Sequence, residues 1–542
     1  MKIRSISIIK LCILIGIILI VVAPTFGSRY IPTHDGEYHI IRIIEFSKML
    51  DAGYWLPRWA PNLNSGYGIP IFQFHYPLPN YIGAFIRVFT HDAVRAFQMG
   101  MAVGYMLAII ALYLWLRRLY LPLPALVGTI VGASIPYWFV DMYVRGSIGE
   151  IWATAFLFLT LYFSERNKHI AVAITFGLLV LSHNILAMVY APFLILYMLI
   201  RDKKALWGLV GGIGLSAFFW LPALLEQKYI TGLNTVNFRE HFAQMYELLV
   251  PSWGTEFSSS GLTGNKMSLQ IGIAALISII GAGIVMRKEK DKRVKQLTAL
   301  FLSTFILAVF FMLPWSTGIW ERVKPIQFIQ YPWRLLSLVI PIASFTGAYW
   351  VSHMKKQWMG VGLALSTIAL SLGYIRPVTY ESRSEAYYLA RPNFTDGTSS
   401  MGNSFSTIWT GWKNIRPESE IVIQNGNLIS KIRWEYLYKE FTVRLDSPGE
   451  IILNTLYFPG WRATVDTQKV PIEYIKDGII HVLVPQGTHT IDIWFGDTWP
   501  RRMGNILSFV SLVFISVWGI LHYRSQKSVK SIKSKVNKVK SL

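Results

Sequence analysis

The sequence predicts a mainly α, polytopic membrane protein of about twelve transmembrane helices, with an extracytoplasmic β-sandwich before the last helix. Three observations lead there. The 542-residue chain is 53% hydrophobic and 15% charged, with a mean hydropathy of +0.40, too apolar for an ordinary soluble enzyme. Apolar runs long enough to cross a hydrocarbon layer of about 30 Å recur along it. Near the C-terminal end the pattern changes to two-residue alternation broken by turn residues.

The apolar runs fall at 6–25, 96–116, 122–140, 148–164, 170–182, 185–200, 205–225, 268–286, 296–314, 334–353, 358–374 and 504–522. The run at 170–182 is short, and its loss would invert every loop after it. Lys and Arg concentrate on the cytoplasmic side of membrane proteins, and this tests the order. With Lys2 and Arg4 inside, Arg117–Arg118, "ERNKH", "RDKK", "RKEKDKRVK", "HMKKQ" and the tail at 523–542 all fall on one face. Both termini are therefore expected in the cytoplasm of a cell-membrane protein. The opposite loops are balanced: residues 375–503 hold 14 Lys and Arg against 14 Asp and Glu, and residues 26–95 hold six against five. The net charge of +22 thus sits mainly on one face, where it suits anionic lipid headgroups. Its dispersal between helices, without a binding module, argues against a nucleic-acid partner.

The first run also has the basic start and apolar centre of a signal peptide, but it is long for one, and "APTFGS" offers no clear cleavage site. The single Cys12 lies within it, so no intrachain disulfide can form.

This order divides the chain into a transmembrane part at 1–374 with a long first loop at 26–95, and a linker at 375–424. A β-sandwich at 425–503, a last helix at 504–522 and a basic tail at 523–542 follow. Strand-like alternation in "KEFTVRLD", "EIILNTLYF", "WRATVDT", "IIHVLVP" and "HTIDIWF" defines the sandwich, which is read as a structural cap or an acceptor-docking module. The linker carries "NFT", an N-glycosylation pattern common by chance. Large loops lie outside and cytoplasmic loops are short, so chemistry is expected on the extracytoplasmic face.

The first loop opens with "PTHDGEYHIIRIIEF". Ile40, Ile43, Ile44 and Leu50 share one side of a helix expected to lie in the interface plane, and Asp35 and His39, four apart, share a face. Tyr54, Trp55, Trp59, Tyr67, Phe72, Phe74 and Tyr76, spaced by Gly and Pro, suit an interfacial belt or a wall for sugar rings or an isoprenoid chain.

Asp35 reads either as a helix N-cap or as a general base for an attacking hydroxyl. Glu37 is a second catalytic candidate, or a ligand with His34 or His39 for a divalent metal, although their spacing is not that of a strong metal motif. "DMYVRGSIGE" adds Arg145, shaped to clamp a phosphate, and Glu150, read most simply as part of a capping box with Ser147. "LSHN" places His183 at a tight turn, and "QYPWR" places Arg334 at a helix mouth. All map to one side of the membrane. No P-loop, dinucleotide-binding glycine motif, HExxH or nucleophile elbow is present in a suitable context, which disfavours an ATP-driven pump or a serine hydrolase.

"HDGEYHIIRIIEF", "GYWLPRWAPNLNSGYGIPIFQFHYPLP", "YVRGSIGE", "LSHN" and "QYPWRLL" resemble the 6-pyruvoyl-tetrahydropterin synthase-related multi-pass membrane proteins, grouped with the GT-C glycosyltransferases. "YFPGWRATVD" resembles the terminal β-domain of related large envelope-glycosylating proteins. No histidine arrangement of a soluble pterin synthase is present, so pterin chemistry is discounted. The resemblance implies a GT-C fold, a polyprenyl-phosphate sugar donor and an essential acidic residue in the first outer loop, the position of Asp35. The chain reads Asp-Gly-Glu where better understood GT-C transferases carry an adjacent acidic pair, which leaves metal dependence open.

The expectation is an inverting glycosyltransferase that moves a sugar from a polyprenyl-phosphate carrier to a cell-envelope glycan, lipid or protein. Asp35 is the base; Arg145, with Arg58 or Arg334, holds the phosphate; His34, His39, Tyr76, Glu150 and His183 line the site. A lipid or glycan transporter is the rival, but transporters place ionisable groups near the bilayer midplane, and here they gather at outer helix ends. A non-catalytic scaffold displaying the β-domain would leave Asp35 and Arg145 without a task.

Overall fold

The computed structural model describes residues 8–27, 29–232, 236–257, 265–390, 404–410, 413 and 415–540. Each of the twelve apolar runs contains helix, and among the described residues five helices are long and apolar enough to span a membrane unaided. These are Ala93–Leu119, Asn184–Arg201, Lys292–Met312, Pro332–Ser352 and Trp499–Leu521. Two further spans are broken. Pro122–Ala133 and Pro136–Arg145 meet at 46°, and Ala205–Leu215 and Ala217–Tyr229 meet at 63°. Counting each pair as one span gives up to seven by length and composition among the described residues.

Length sets the other apolar helices apart. Ile148–Ser164, His169–Ser182 and Ile273–Met286 are apolar but short; a 14-residue helix is about 21 Å long, well under about 30 Å of hydrocarbon. At the first break, Pro136 lacks the N–H that would continue the helix.

The helix expected in the interface plane, Gly36–Asp51, lies instead in the core. It buries Ile40, Ile43 and Ile44, and also His39, Arg42 and Glu45. The first-loop helix that exposes apolar side chains is Leu78–Thr90, through Phe85, Val88 and Phe89.

The β region contains eight strands: β1 (Ile421–Ile423), β2 (Gly426–Trp434), β3 (Tyr438–Leu445), β4 (Gly449–Leu456), β5 (Trp461–Val465), β6 (Gln468–Val470), β7 (Ile479–Val484) and β8 (Gly487–Phe495). They pair antiparallel into two sheets, β1-β4-β7 and β2-β3-β8-β5-β6. Alternate residues, Phe441, Val443 and Leu445 in one sheet and Ile451 and Leu453 in the other, are buried, as a half-solvated strand requires. Asp466 and Thr467, both at positive φ, make the two-residue turn from β5 to β6. The "NFT" pattern, with the rest of 391–403, lies outside the described residues.

The first loop fastens this region to the helices. Trp59 sits 5.8 Å from Trp461 and 5.4 Å from Phe495, and Phe74 sits 6.0 Å from Phe458, ring centre to ring centre. Gly68 adopts φ +76° under Trp59, where a Cβ would come within 2.8 Å of the indole Cε2. Trp59 and Phe74 therefore form the joint to the β region, neither an interfacial belt nor a sugar wall. Below it, fully buried Arg501 pairs with Glu226 at 3.0 Å.

Candidate functional site

The stretch "PTHD" is held against the turn Asp141–Arg145. The backbone N–H groups of His34 and Asp35 donate to the carbonyls of Val144 (2.9 Å) and Arg145 (2.8 Å). Gly146 ends that turn at φ +70°, packed against Thr33, where a Cβ would crowd the threonine side chain. Asp35 occupies the N-cap position of Gly36–Asp51, but its side chain makes no capping bond. Among the described residues its carboxylate has no hydrogen-bond or ion-pair partner, and it is half-buried.

One face of the helix carries Asp35, His39 and Arg42 inward. Arg42 is 7% exposed, and no carboxylate lies within ion-pair distance among the described residues. Its Nη1 donates to His75 Nε2 at 2.8 Å, its guanidinium lies 5.7 Å from the Tyr38 ring centre, and its Nε is buried without a partner. His39 stacks on Phe97 at 5.8 Å and meets His75 edge-on at 5.6 Å; Tyr76 lies 4.0 Å from His75 and 4.8 Å from His183. Burial, reinforced by the neighbouring Arg42 cation, pushes the His39 and His75 imidazoles well below their ordinary value. Burial also lowers the Arg42 guanidinium, opposed by Tyr76, Asp35 and Tyr38.

Beside this face is a closed ion network. Glu150 Oε1 accepts from Arg145 Nη2 and Arg334 Nε, each at 2.8 Å, and Oε2 accepts from the Tyr137 hydroxyl at 2.7 Å. Arg145 also reaches Asp141 at 2.5 Å and lies 4.8 Å from the Trp333 ring centre. Ser147 makes no side-chain cap, so Glu150 is the anchor of two guanidiniums and not half of a capping box. Arg334 spends Nη1 on the Ile329 carbonyl and the Gln330 side chain. His183 Nδ1 accepts from Leu186 N–H, capping Asn184–Arg201, while its Nε2 lies 3.9 Å from Glu150.

Three expected residues take other places. Arg58 lies at the joint, donating to Gln73, the Phe218 carbonyl and Asn505, so it is not a phosphate ligand of this cluster. Burial lowers its guanidinium to about 10, with Asp497 opposing. Glu37 pairs with Arg383, which also holds Glu381 at 2.6 Å. His34 Nε2 contacts the Thr255 carbonyl at 2.6 Å and its ring packs on Phe257; burial holds it below its ordinary value. With Glu37, His34 and His39 directed to different partners, no group of three or more potential metal-binding side chains forms among the described residues. Arg145, neutralised by two carboxylates, has little charge left for a phosphate.

Asp35, Tyr76, Glu150, His183 and Arg334 do converge with His39. The reading of single motifs missed Arg42, His75 and Asp141. Arg42 was accessible, since Asp35, His39 and Arg42 stand at i, i+4 and i+7. A half-exposed carboxylate beside a buried, carboxylate-free guanidinium can accept a proton at one point and hold an anion at the next.

A curated relative, an uncharacterized protein of Lactococcus lactis subsp. cremoris (strain MG1363), is 22% identical over 254 residues, covering 42% of this chain and 40% of that one. Among solved structures, arabinofuranosyltransferase AftD from Mycobacteria aligns with a TM-score of 0.47 at 12% identity, over 71% of this chain and 28% of that one. ArnT from Cupriavidus metallidurans, bound to undecaprenyl phosphate, aligns at 0.43 and 13%, over 66% and 62%. The Archaeoglobus fulgidus oligosaccharyltransferase aligns at 0.42 and 14%, over 73% and 56%. The chain spans less than two thirds of the length of each of these proteins. The family model for the 6-pyruvoyl-tetrahydropterin synthase related domain, described as a membrane protein, matches residues 72–380, more than half of the chain. The chain belongs to this family of membrane proteins.

Proposed function

We propose that the protein is an inverting glycosyltransferase that moves a sugar from a polyprenyl-phosphate donor to a cell-envelope glycan, lipid or protein on the extracytoplasmic face. The observation that carries this is the pairing of Asp35, whose carboxylate has no hydrogen-bond partner among the described residues, with Arg42, a buried guanidinium without a carboxylate. In this reading the acceptor hydroxyl oxygen attacks the anomeric carbon as the bond from that carbon to the phosphate oxygen breaks. The hydroxyl proton passes to Asp35, and the polyprenyl phosphate leaves with the bonding pair, its charge met by Arg42 and Arg334. Glu150, itself held by Arg145, keeps Arg334 in place, and neither Glu150 nor Arg145 touches the donor. Glu37 serves, through Arg383, to keep residues 381–383 beside the site.

The test is transfer of radiolabelled sugar from a panel of polyprenyl-phosphate donors by the purified full-length chain. Wild type is expected to form labelled product and Asp35→Asn to form none while unfolding at the same temperature. Full activity in Asp35→Asn removes the residue from the mechanism. Arg42→Gln is expected to raise the donor KM about tenfold or more, the weight of one charge-assisted contact. No donor bound by the folded wild type overturns the transferase reading.

A further inference from the structure

Far from this cluster, helices His169–Ser182, Leu206–Leu215 and Trp499–Leu521 enclose a groove of about 770 Å³, within the size range of small-molecule sites. Its walls are apolar: Trp207 and Val210 on one side, Val510, Phe514, Val517 and Trp518 on the other. Trp207 is 71% and Phe514 67% exposed, so the groove opens sideways toward the bilayer. One end is polar, carrying His169 and Lys204.

The charges at that end are unequal: residues 165–169 and 201–204 hold five Lys and Arg against two Asp and Glu. Asp202 contacts the His169 imidazole at 2.7 Å, and Glu165 pairs with Arg201 at 2.6 Å. Lys204 has no ion-pair partner among the described residues. The remaining charge is positive, and it lies in the basic loops read as cytoplasmic. From Val510 to Leu521 the last helix rises about 16 Å, roughly half of a 30 Å hydrocarbon layer.

We infer that the groove binds one anionic phospholipid of the cytoplasmic leaflet, with an acyl chain along Val210 and Phe514 and the headgroup phosphate at Lys204. A slot one leaflet deep, apolar along its length and cationic at a single end, matches such a lipid in both shape and charge. A second protein helix would fill the apolar walls but would leave Lys204 unmatched.

Native mass spectrometry of the purified full-length chain, titrated with phosphatidylglycerol or phosphatidylcholine of identical chains, tests this independently of any transferase activity. Wild type is expected to favour phosphatidylglycerol by about fivefold, the weight of one lysine near an anionic headgroup. Lys204→Glu abolishes that preference. Val210→Trp, which fills the groove, and Val510→Trp, which fills it from the opposite wall, each lower binding of both lipids about tenfold. Equal binding of the two lipids by wild type, or unchanged binding in both tryptophan variants, overturns the proposal. So does a lipid-free dimer that either tryptophan variant dissociates, which would assign the groove to a second copy of the chain.

Discussion

Glu150→Gln tests whether the site is built around one carboxylate. Glu150 is 1% exposed and accepts three hydrogen bonds, two of them from guanidiniums. The substitution preserves shape but removes the charge. Arg145 retains Asp141; Arg334 is left with one backbone carbonyl and one amide oxygen. Breaking a buried ion pair from one side costs about 3–5 kcal/mol, because the remaining charge stays out of water. Glutamine returns part of this, since its carbonyl oxygen in the place of Oε1 still accepts from both arginines and the Tyr137 hydroxyl can turn to accept from the amide. A net loss of about 3 kcal/mol is expected. It is measured by SDS-unfolding titration of the purified protein, with Arg334→Gln and the double variant completing a cycle. The double variant should lose at least about 1 kcal/mol less than the sum of the single losses. A single-variant loss under about 0.5 kcal/mol, with an additive cycle, would refute the idea that Glu150 pins the two arginines.

The neutral imidazoles set a pH dependence. The folded pKa values of His39 and His75 lie well below the ordinary value, so their contribution is complete above about pH 6.5. Below it the unfolded chain takes up protons that the folded chain refuses, and stability falls by up to about 1.4 kcal/mol per pH unit for each such histidine; His39→Phe should reduce the slope by one such share, read by unfolding titrations from pH 7 to 5. Gly68→Ala should cost more than about 1 kcal/mol, since φ +76° and the Trp59 indole both oppose a Cβ; faster proteolysis of the first loop reports it. Arg58→Gln should lower thermal stability without changing the donor KM. A raised KM would return Arg58 to the binding site.

Period and hydropathy located the helices and strands because both are local properties: each apolar run contains helix, β5 and β7 fall within the alternating stretches, and β3, β4 and β8 overlap them with starts one or two residues earlier. The span count was not local. Whether a 14- or 17-residue apolar helix crosses alone depends on neighbours that the window does not contain. The strands also begin at Ile421, slightly before the expected 425. At the site, the gathering of Asp35, Glu150, His183 and Arg334 followed from their common position at helix ends expected on one face. The assignment of charge did not follow, because Arg145 appears free until Asp141, four residues earlier, is seen to turn onto it. Arg58 and Trp59 were misplaced for the same reason: their partners Phe218, Trp461, Phe495 and Asn505 lie more than 150 residues away in the chain.

The charge balance of the cluster argues for an anion at Arg42. Three guanidiniums, Arg42, Arg145 and Arg334, face two buried carboxylates, Asp141 and Glu150, and those two are engaged by Arg145 and Arg334. Arg42 keeps only an imidazole and tyrosine faces, with Asp35 acting on it through space. A buried cation so poorly matched costs stability unless something outside the chain completes it. If Asp35 were its structural counter-ion, Asp35→Asn would destabilise the fold and loosen the site. If Asp35 is instead the base beside an anion site, removing its charge leaves Arg42 more strongly positive. Asp35→Asn should then bind polyprenyl phosphate at least as tightly as wild type while transferring nothing, and Arg42→Gln should show the reverse, weak binding with residual turnover at high donor concentration. Weakened binding in Asp35→Asn would mean that the carboxylate holds Arg42 in place and that the base must be sought elsewhere.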